Sequence, residues 1–207
     1  MNFDTWENKI VLSLLICSVP ERAEMLAILL DKLAVQKVPI RKYHRALGQF
    51  EILVNDSARF NDGGLSIGAK RQVLLNQAKG EYVCYLDDDE DISPDYLETI
   101  LRLCYERKDV GTFRSLAKLS NSWVLVDMRL GNENEQINAD KITKRPPWHV
   151  CPVKSELAKQ CKFENSNYGE DWDWFSQVVI HCHTEAHTDR IIHNYNHGAH
   201  SEADKIK

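Results

Sequence analysis

The chain has 207 residues, of which 43% are hydrophobic and 28% are charged, as in an ordinary globular protein. This length predicts one domain over residues 1–207, and the net charge of −5 gives no general attraction to nucleic acid. No uncharged run approaches the roughly 18 apolar residues of a membrane span, and the six cysteines have no C-x-x-C spacing. The first nine residues lack the basic start of a signal peptide. We therefore predict a cytoplasmic protein without membrane spans or a disulfide framework.

The first half, about residues 8–109, alternates between apolar strands and helices. Apolar runs predict strands at residues 10–17, 50–55 and 82–86. Helical spacing of apolar residues follows each run, with helices predicted from residue 20, over 66–79 and over 93–105. This order predicts an α/β fold with a Rossmann-like, mostly parallel sheet and flanking helices.

Two local signals predict helix ends in this half. Ser18-Val19-Pro20-Glu21 has the pattern of a capping box for the first helix. Gly80 follows the second helix where a C-cap is expected. The second half, about residues 110–207, loses the alternation. It predicts strands at 110–116, 123–128 and 190–195, a polar loop at 131–142, and helices at 155–161 and 170–180.

An acidic cluster, Asp87-Asp88-Asp89-Glu90-Asp91, directly follows the third strand. In parallel α/β sheets, ligands bind beyond the carboxyl ends of the strands. In extended backbone the side chains of Asp87 and Asp89 point the same way, so we expect them to face one Mg²⁺ or Mn²⁺ while Asp88 and Glu90 face elsewhere. The alternative is a solvated acidic loop that caps the next helix.

Four ordered segments resemble family 2 glycosyltransferases with the GT-A fold. They are Pro20-Glu21-Arg22, the stretch at 51–57, the basic helix and "KGEY" turn leading into Asp87-Asp88-Asp89, and Tyr168-Gly169-Glu170-Asp171-Trp172-Asp173. The resemblance implies a GT-A fold in which residues 8–109 bind a metal ion and a nucleotide-sugar donor, with UDP-sugars the expected donors. It implies that residues 110–207 form a smaller acceptor-side region. The second strand ends in Asn55-Asp56-Ser57 instead of the family's two acidic residues and a glycine, a departure that affects the base contacts.

The resemblance implies donor binding by eight residues: Ser18, Pro20, Arg22, Asp56, Lys70, Arg71, Asp87 and Asp88. Asp56 is expected to accept a hydrogen bond from the base or ribose, or else to be a turn residue that bonds its own backbone. Lys70 and Arg71 begin a helix whose N-terminus favours phosphate. We expect one of them to meet the diphosphate, or both to lie on the surface.

The "ED" motif implies that Asp171 is the catalytic base of an inverting reaction, with Glu170 beside it as a second candidate or an acceptor ligand. Both could instead simply place negative charge at a helix N-terminus. Asp87 and Asp89 are the expected metal ligands, completed by His193 or His197, unless these histidines lie on the surface or in the core.

Three residues are expected to form an acceptor surface: Trp148, His149 and Trp172, with core packing the alternative for Trp172. The resemblance implies a carbohydrate or a nucleobase in DNA as the acceptor and does not choose between them. A non-catalytic nucleotide- or sugar-binding module is the alternative function. A nucleotidyltransferase is a weaker one, because residues 18–22 contain no glycine for a phosphate loop.

Overall fold

The computed structural model describes residues 9–43, 49–59, 62–119 and 122–195, which form one mixed β-sheet flanked by helices. The strands are β1 (Ile10–Cys17), β2 (Gln49–Asn55), β3 (Tyr82–Tyr85), β4 (Asp91–Ile92), β5 (Val110–Leu119), β6 (Ser122–Met128), β7 (Thr143–Arg145), β8 (Val153–Lys154) and β9 (Glu185–Tyr195). The helices are α1 (Ala23–Tyr43), α2 (Ile67–Gln77), α3 (Tyr96–Tyr105), α4 (Ser155–Ala158) and α5 (Glu170–Val179).

The first half forms the parallel part of the sheet, as predicted. β1 pairs in parallel with β2 on one side and with β3 on the other. Seven of the eight β1 residues are buried, because helices pack on this strand, among them α2 and α3. The predicted strands and helices of this half are confirmed, and the carboxyl ends of β1, β2 and β3 meet at one edge of the sheet.

The second half extends the same sheet with mostly antiparallel pairs, in the order β2-β1-β3-β8-β5-β6-β7. β9 lies parallel to β5 and also pairs with β4. The sequence did not predict β4, β7 or β8, because strands of two or three residues are too short to show a hydrophobic period.

Both predicted capping signals are wrong, each because of a contact with a distant part of the chain. A 3-10 turn over Pro20–Arg22 precedes α1, and the Ser18 hydroxyl donates to Asp88 Oδ2 at 2.6 Å instead of capping the helix. Gly80 lies beyond the α2 C-cap and packs against β1, where a Cβ atom would approach the Ser13 nitrogen to 2.4 Å. The glycine is therefore required by close packing and not by a helix end.

All six cysteines are buried free thiols, which confirms the prediction that the chain has no disulfide framework. Within the described residues, no helix combines the length and the hydropathy needed to cross a membrane.

Candidate active site

A cleft of about 790 Å³ opens at the carboxyl ends of β1 and β3. Segments far apart in sequence line it, including most of the predicted site residues: Ser18, Arg22, Lys70, Arg71, Asp87, Asp88, Trp148, His149, Glu170, Asp171, Trp172 and His193. Pro20 and Asp56 are exposed and do not belong to this lining, and neither does Asp89. His197 lies outside the described residues.

Arg71 lies at the floor of the cleft and contacts three carboxylates. Its Nη2 donates to Asp87 Oδ1 at 2.8 Å, its Nε lies 3.6 Å from Glu170 Oε1, and its Nη1 lies 3.9 Å from Asp171 Oδ2. Burial lowers the pKa of this guanidinium, but the three carboxylates outweigh burial and raise it. Only 2% of Arg71 is exposed, so its predicted surface role is wrong, and one buried cation balances three acidic groups.

Asp171 is held from two further sides by residues after the Pro146-Pro147 break. Trp148 Nε1 donates to Asp171 Oδ2 at 3.1 Å, and His149 Nδ1 lies 3.3 Å from the same oxygen. His149 Nε2 lies 3.6 Å from Asp87 Oδ2, so the ring stands between two carboxylates. Only 4% of His149 is exposed, so it cannot serve as the stacking surface predicted for an acceptor.

The two carboxyl groups of the "ED" motif differ in acidity. Burial raises the pKa of Asp171, but His149 and Arg71 outweigh burial and the net shift is downward. Burial also raises the pKa of Glu170. Arg71 lowers this pKa, but by less than burial raises it, so the net shift is upward. Asp171 is therefore the more readily ionised of the pair, and the ionised carboxylate is the form that a general base requires.

The N-terminus of α2 is closed to ligands, contrary to the expectation of a phosphate site there. Ser66 accepts from the Ala69 N–H, the Ser166 carbonyl accepts from Gly68, and Asn167 Oδ1 accepts from Ile67. These contacts satisfy the first backbone donors of the helix internally. A Cβ atom at Gly68 would lie 1.9 Å from the Glu164 carbonyl oxygen, so the glycine permits this close approach.

Lys70 is also buried, with 2% of its surface exposed. Its Nζ donates to the Ser18 carbonyl at 2.8 Å and to the Ser57 carbonyl. Burial lowers the pKa of this amine. Lys70 thus joins the segments that follow β1 and β2, and the predicted surface role is wrong for it too.

The acidic cluster forms a turn and is not extended as expected. The Glu90 N–H donates to the Asp87 carbonyl at 3.2 Å across Asp88 and Asp89. Asp88 is 3% exposed and accepts from Ser18 and from Arg22 Nη1, the latter at 2.7 Å. Arg22 Nη2 lies 3.4 Å from Asp89 Oδ2, so Asp88 and Asp89 share one arginine. The alternation that was expected to pair Asp87 with Asp89 is therefore wrong.

His193 lies beside this turn. Its Nδ1 is 2.8 Å from Ser115 Oγ, and its Nε2 is 2.9 Å from Glu90 Oε2, although the ring N–H is not aligned for a hydrogen bond there. Glu90 Oε2 in turn accepts from the Asp87 N–H at 3.1 Å. The side chain is 3% exposed, so the surface alternative for His193 is wrong.

The donor set for a metal ion consists of carboxylates. Mg²⁺ and Mn²⁺ sites of this type use one or two carboxylates together with substrate phosphates, so Asp87 and Asp89 suit such an ion chemically. In the described part of the chain, three ligand atoms converge within 4.8 Å only at Asp127, His187 and Asp189. Arg114 and Arg129 already pair with both of those aspartates, which makes that cluster an ion-pair network.

Aromatic side chains line the other end of the cleft. The rings of Trp148 and Trp172 lie 5.4 Å apart, and 37% of Trp172 is exposed. Sequence reasoning missed Tyr168, which is 90% exposed at the rim, and Arg145, whose guanidinium lies 5.3 Å from the Trp148 ring centroid. Trp174 is fully buried and stacks on Phe163, so it belongs to the core.

This sheet, with its flanking helices and its cleft at the strand ends, is a glycosyltransferase fold of the GT-A type. The chain is similar in structure to S. aureus TarS, a glycosyltransferase, with a TM-score of 0.59 and 15% identity over 90% of this chain and 37% of that one. TarS residues 1–349 in complex with UDP-GlcNAc give a TM-score of 0.58 and 15% identity, over 90% of this chain and 58% of that chain. The same fragment in complex with UDP gives a TM-score of 0.57 and 15% identity, over 90% of this chain and 60% of that chain.

This chain spans less than two thirds of the length of these structures. No protein-family profile matches the sequence. No curated protein matches it either.

Proposed function

We propose that this chain is an inverting glycosyltransferase of the family 2 type that takes its sugar from a UDP-linked donor in the cleft. The observation that carries the proposal is the position of Asp171. An aspartate with a lowered pKa is held by Trp148, His149 and Arg71, and Arg71 also holds Asp87 of the acidic turn. A proton acceptor and a candidate metal carboxylate thus share one buried cation. The UDP and UDP-GlcNAc complexes of TarS support the choice of donor.

The donor lies across the ends of β1, β2 and β3 in this proposal. Ser18 and the backbone at residues 17–19 line the nucleotide end, and Lys70 holds that backbone in place through its two carbonyl contacts. Arg22 positions the acidic turn through Asp88. Asp87 and Asp89 of the acidic turn are the residues that would hold Mg²⁺ or Mn²⁺, and such an ion would supply positive charge to the departing diphosphate.

Asp171 removes the proton from the acceptor hydroxyl as the sugar is transferred. Trp148 and His149 fix the orientation of its carboxylate, and His149 together with Arg71 favours its ionised form. Glu170 is 5% exposed and faces Arg71, so its part is to help balance that charge. Trp148 and Trp172 form the surface that receives the acceptor, a carbohydrate or a nucleobase.

The test measures UDP release from UDP-GlcNAc with Mn²⁺ present and water as the acceptor, in the wild type and in two variants. Asp171→Asn removes the base and is expected to lower the rate about 10²- to 10⁴-fold while leaving the affinity for UDP unchanged. Asp173→Asn is the matched control, because Asp173 lies on the same helix turn but outside the cleft lining, where it contacts Gln177.

A wild-type rate in Asp171→Asn would remove Asp171 from the mechanism. A wild type that binds UDP-GlcNAc but releases no UDP, with any acceptor tried, would favour the non-catalytic binding module.

A further inference from the structure

Arg145 differs from the other cations of the cleft. Arg22, Arg59 and Arg71 each have a carboxylate partner, and the buried Lys70 donates to two backbone carbonyls. Arg145 forms no ion pair with any carboxylate of the described residues. Its Nε donates to the Glu135 backbone carbonyl at 2.8 Å, whereas the Glu135 carboxylate is turned to Lys141 and to the Lys144 N–H.

The guanidinium is held in place although no carboxylate in the described part of the chain pairs with it. It lies over the Trp148 ring, 5.3 Å from the centroid, and both side chains line the cleft. Cation–π packing and one hydrogen bond to the backbone restrict its rotamers, which reduces the entropy lost when a ligand binds. Burial lowers the pKa of Arg145, so an anionic partner would stabilise its charged form.

Arg145 lies on the acceptor side of the cleft. It ends β7, at the opposite edge of the sheet from β2, whereas the proposed nucleotide end lies beyond β1 and β2. One indole separates it from the proposed base, because Trp148 donates its ring N–H to Asp171 and stacks its face against Arg145. A group bound to Arg145 is therefore close to the hydroxyl that Asp171 would deprotonate.

We propose that the acceptor carries a phosphate or carboxylate group near its reacting hydroxyl, and that Arg145 binds this anionic group. The inference rests on the proposed function and narrows it, because it specifies an anionic acceptor. The guanidinium fork matches both groups, since it can donate two parallel hydrogen bonds to either.

The test is a chemical-shift titration of the protein with glucose 6-phosphate, glucuronic acid and glucose, with the donor site first filled by UDP and Mg²⁺. Glucose 6-phosphate carries a phosphate, glucuronic acid carries a carboxylate, and glucose is uncharged. Comparing the three affinities shows which anionic group is preferred. Arg145→Gln removes the positive charge. Arg145→Lys keeps the charge but cannot donate two parallel hydrogen bonds to one anionic group. Arg129→Gln is the control, because Arg129 pairs with Asp127 and Asp189 outside the cleft lining.

We expect at least one anionic sugar to bind about tenfold more tightly than glucose to the wild type and to Arg129→Gln. This preference should disappear in Arg145→Gln and be partly retained in Arg145→Lys, with the affinity for UDP unchanged in both. No preference in the wild type, or an equal preference in Arg145→Gln, would overturn the inference.

A loss of UDP affinity in Arg145→Gln would also overturn the inference, because Arg145 would then contact the donor. Each sugar is titrated without UDP as well. A wild type that shows the anion preference but does not bind UDP would contradict the proposed donor site and leave the role of Arg145 supported.

Discussion

The two ends of the cleft differ in how their arginine side chains are paired. At the donor end, Arg71 contacts three carboxylates and Arg22 contacts two, so the charged groups fix one another before any ligand arrives. At the proposed acceptor end, Arg145 contacts a backbone carbonyl and the face of an indole, and it has no carboxylate partner among the described residues. Internal ion pairs therefore hold the charged groups of the proposed donor end in place, whereas the proposed acceptor end offers a positive charge to a ligand.

The largest effect on stability is expected from Arg71→Met. This change leaves Asp87, Glu170 and Asp171 close together without their common cation, and breaking such a buried ionic cluster costs about 3–5 kcal/mol. Arg145→Met is the matched control at the other end and should cost about 1–2 kcal/mol, since it loses the contact with Trp148 and one hydrogen bond to the Glu135 carbonyl. Urea unfolding of the three proteins measures both values.

If Arg71→Met and Arg145→Met lost the same free energy of unfolding, the difference between the two ends of the cleft would be contradicted. A loss below about 1 kcal/mol in Arg71→Met would mean that the three carboxylates take up protons or water once the cation is gone.

A smaller effect is expected at Asp109, which joins the strands of the second half outside the cleft lining. Its carboxylate accepts from Lys154 Nζ at 2.9 Å, from the His183 N–H at 3.0 Å and from Thr184. Burial raises the pKa of Asp109, but these hydrogen bonds outweigh burial and lower it to about 2. The folded pKa lies below the unfolded value of about 3.9, so this stabilisation is present above pH 4 and is lost as the pH falls toward 2.

Asp109→Asn removes the titrating group. The difference in free energy of unfolding between the wild type and this variant should therefore shrink by about 1 kcal/mol from pH 6 to pH 3. Urea titrations over this range measure the difference. A difference that stays constant with pH would show that the carboxylate is not stabilised in the folded state.

The first half of the chain, residues 8–109, was easier to predict from the sequence than the second half. β1 and β3 appear in the sequence as apolar runs because every residue of β3 and seven of the eight residues of β1 are buried. β2 is only partly buried, but its apolar run is still set off by the helical spacing on either side. The acidic cluster could be placed at the cleft because it directly follows β3. Asp171 could be placed there only through the resemblance of its motif, since no local pattern connects α5 with β3.

Contacts between distant segments could not be predicted in this way. The N-terminus of α2 is capped by residues about 100 positions later in the chain, which removes the phosphate site that the helix alone suggested. Ser18 has a capping pattern, yet its hydroxyl bonds Asp88, 70 residues away. The role of Arg145 could not be predicted either, because the sequence shows neither the indole beneath it nor that the Glu135 carboxylate is turned to Lys141.

In the proposed function, the cleft binds a nucleoside diphosphate through a metal ion that the acidic turn would hold. Calorimetric titration of the wild type with UDP, with and without Mn²⁺, tests it most directly, with ADP and GDP titrated in parallel. We expect UDP to bind only when the metal is present, and to bind more tightly than the purine nucleotides. A folded sample that binds none of the three, with or without Mn²⁺, would contradict it.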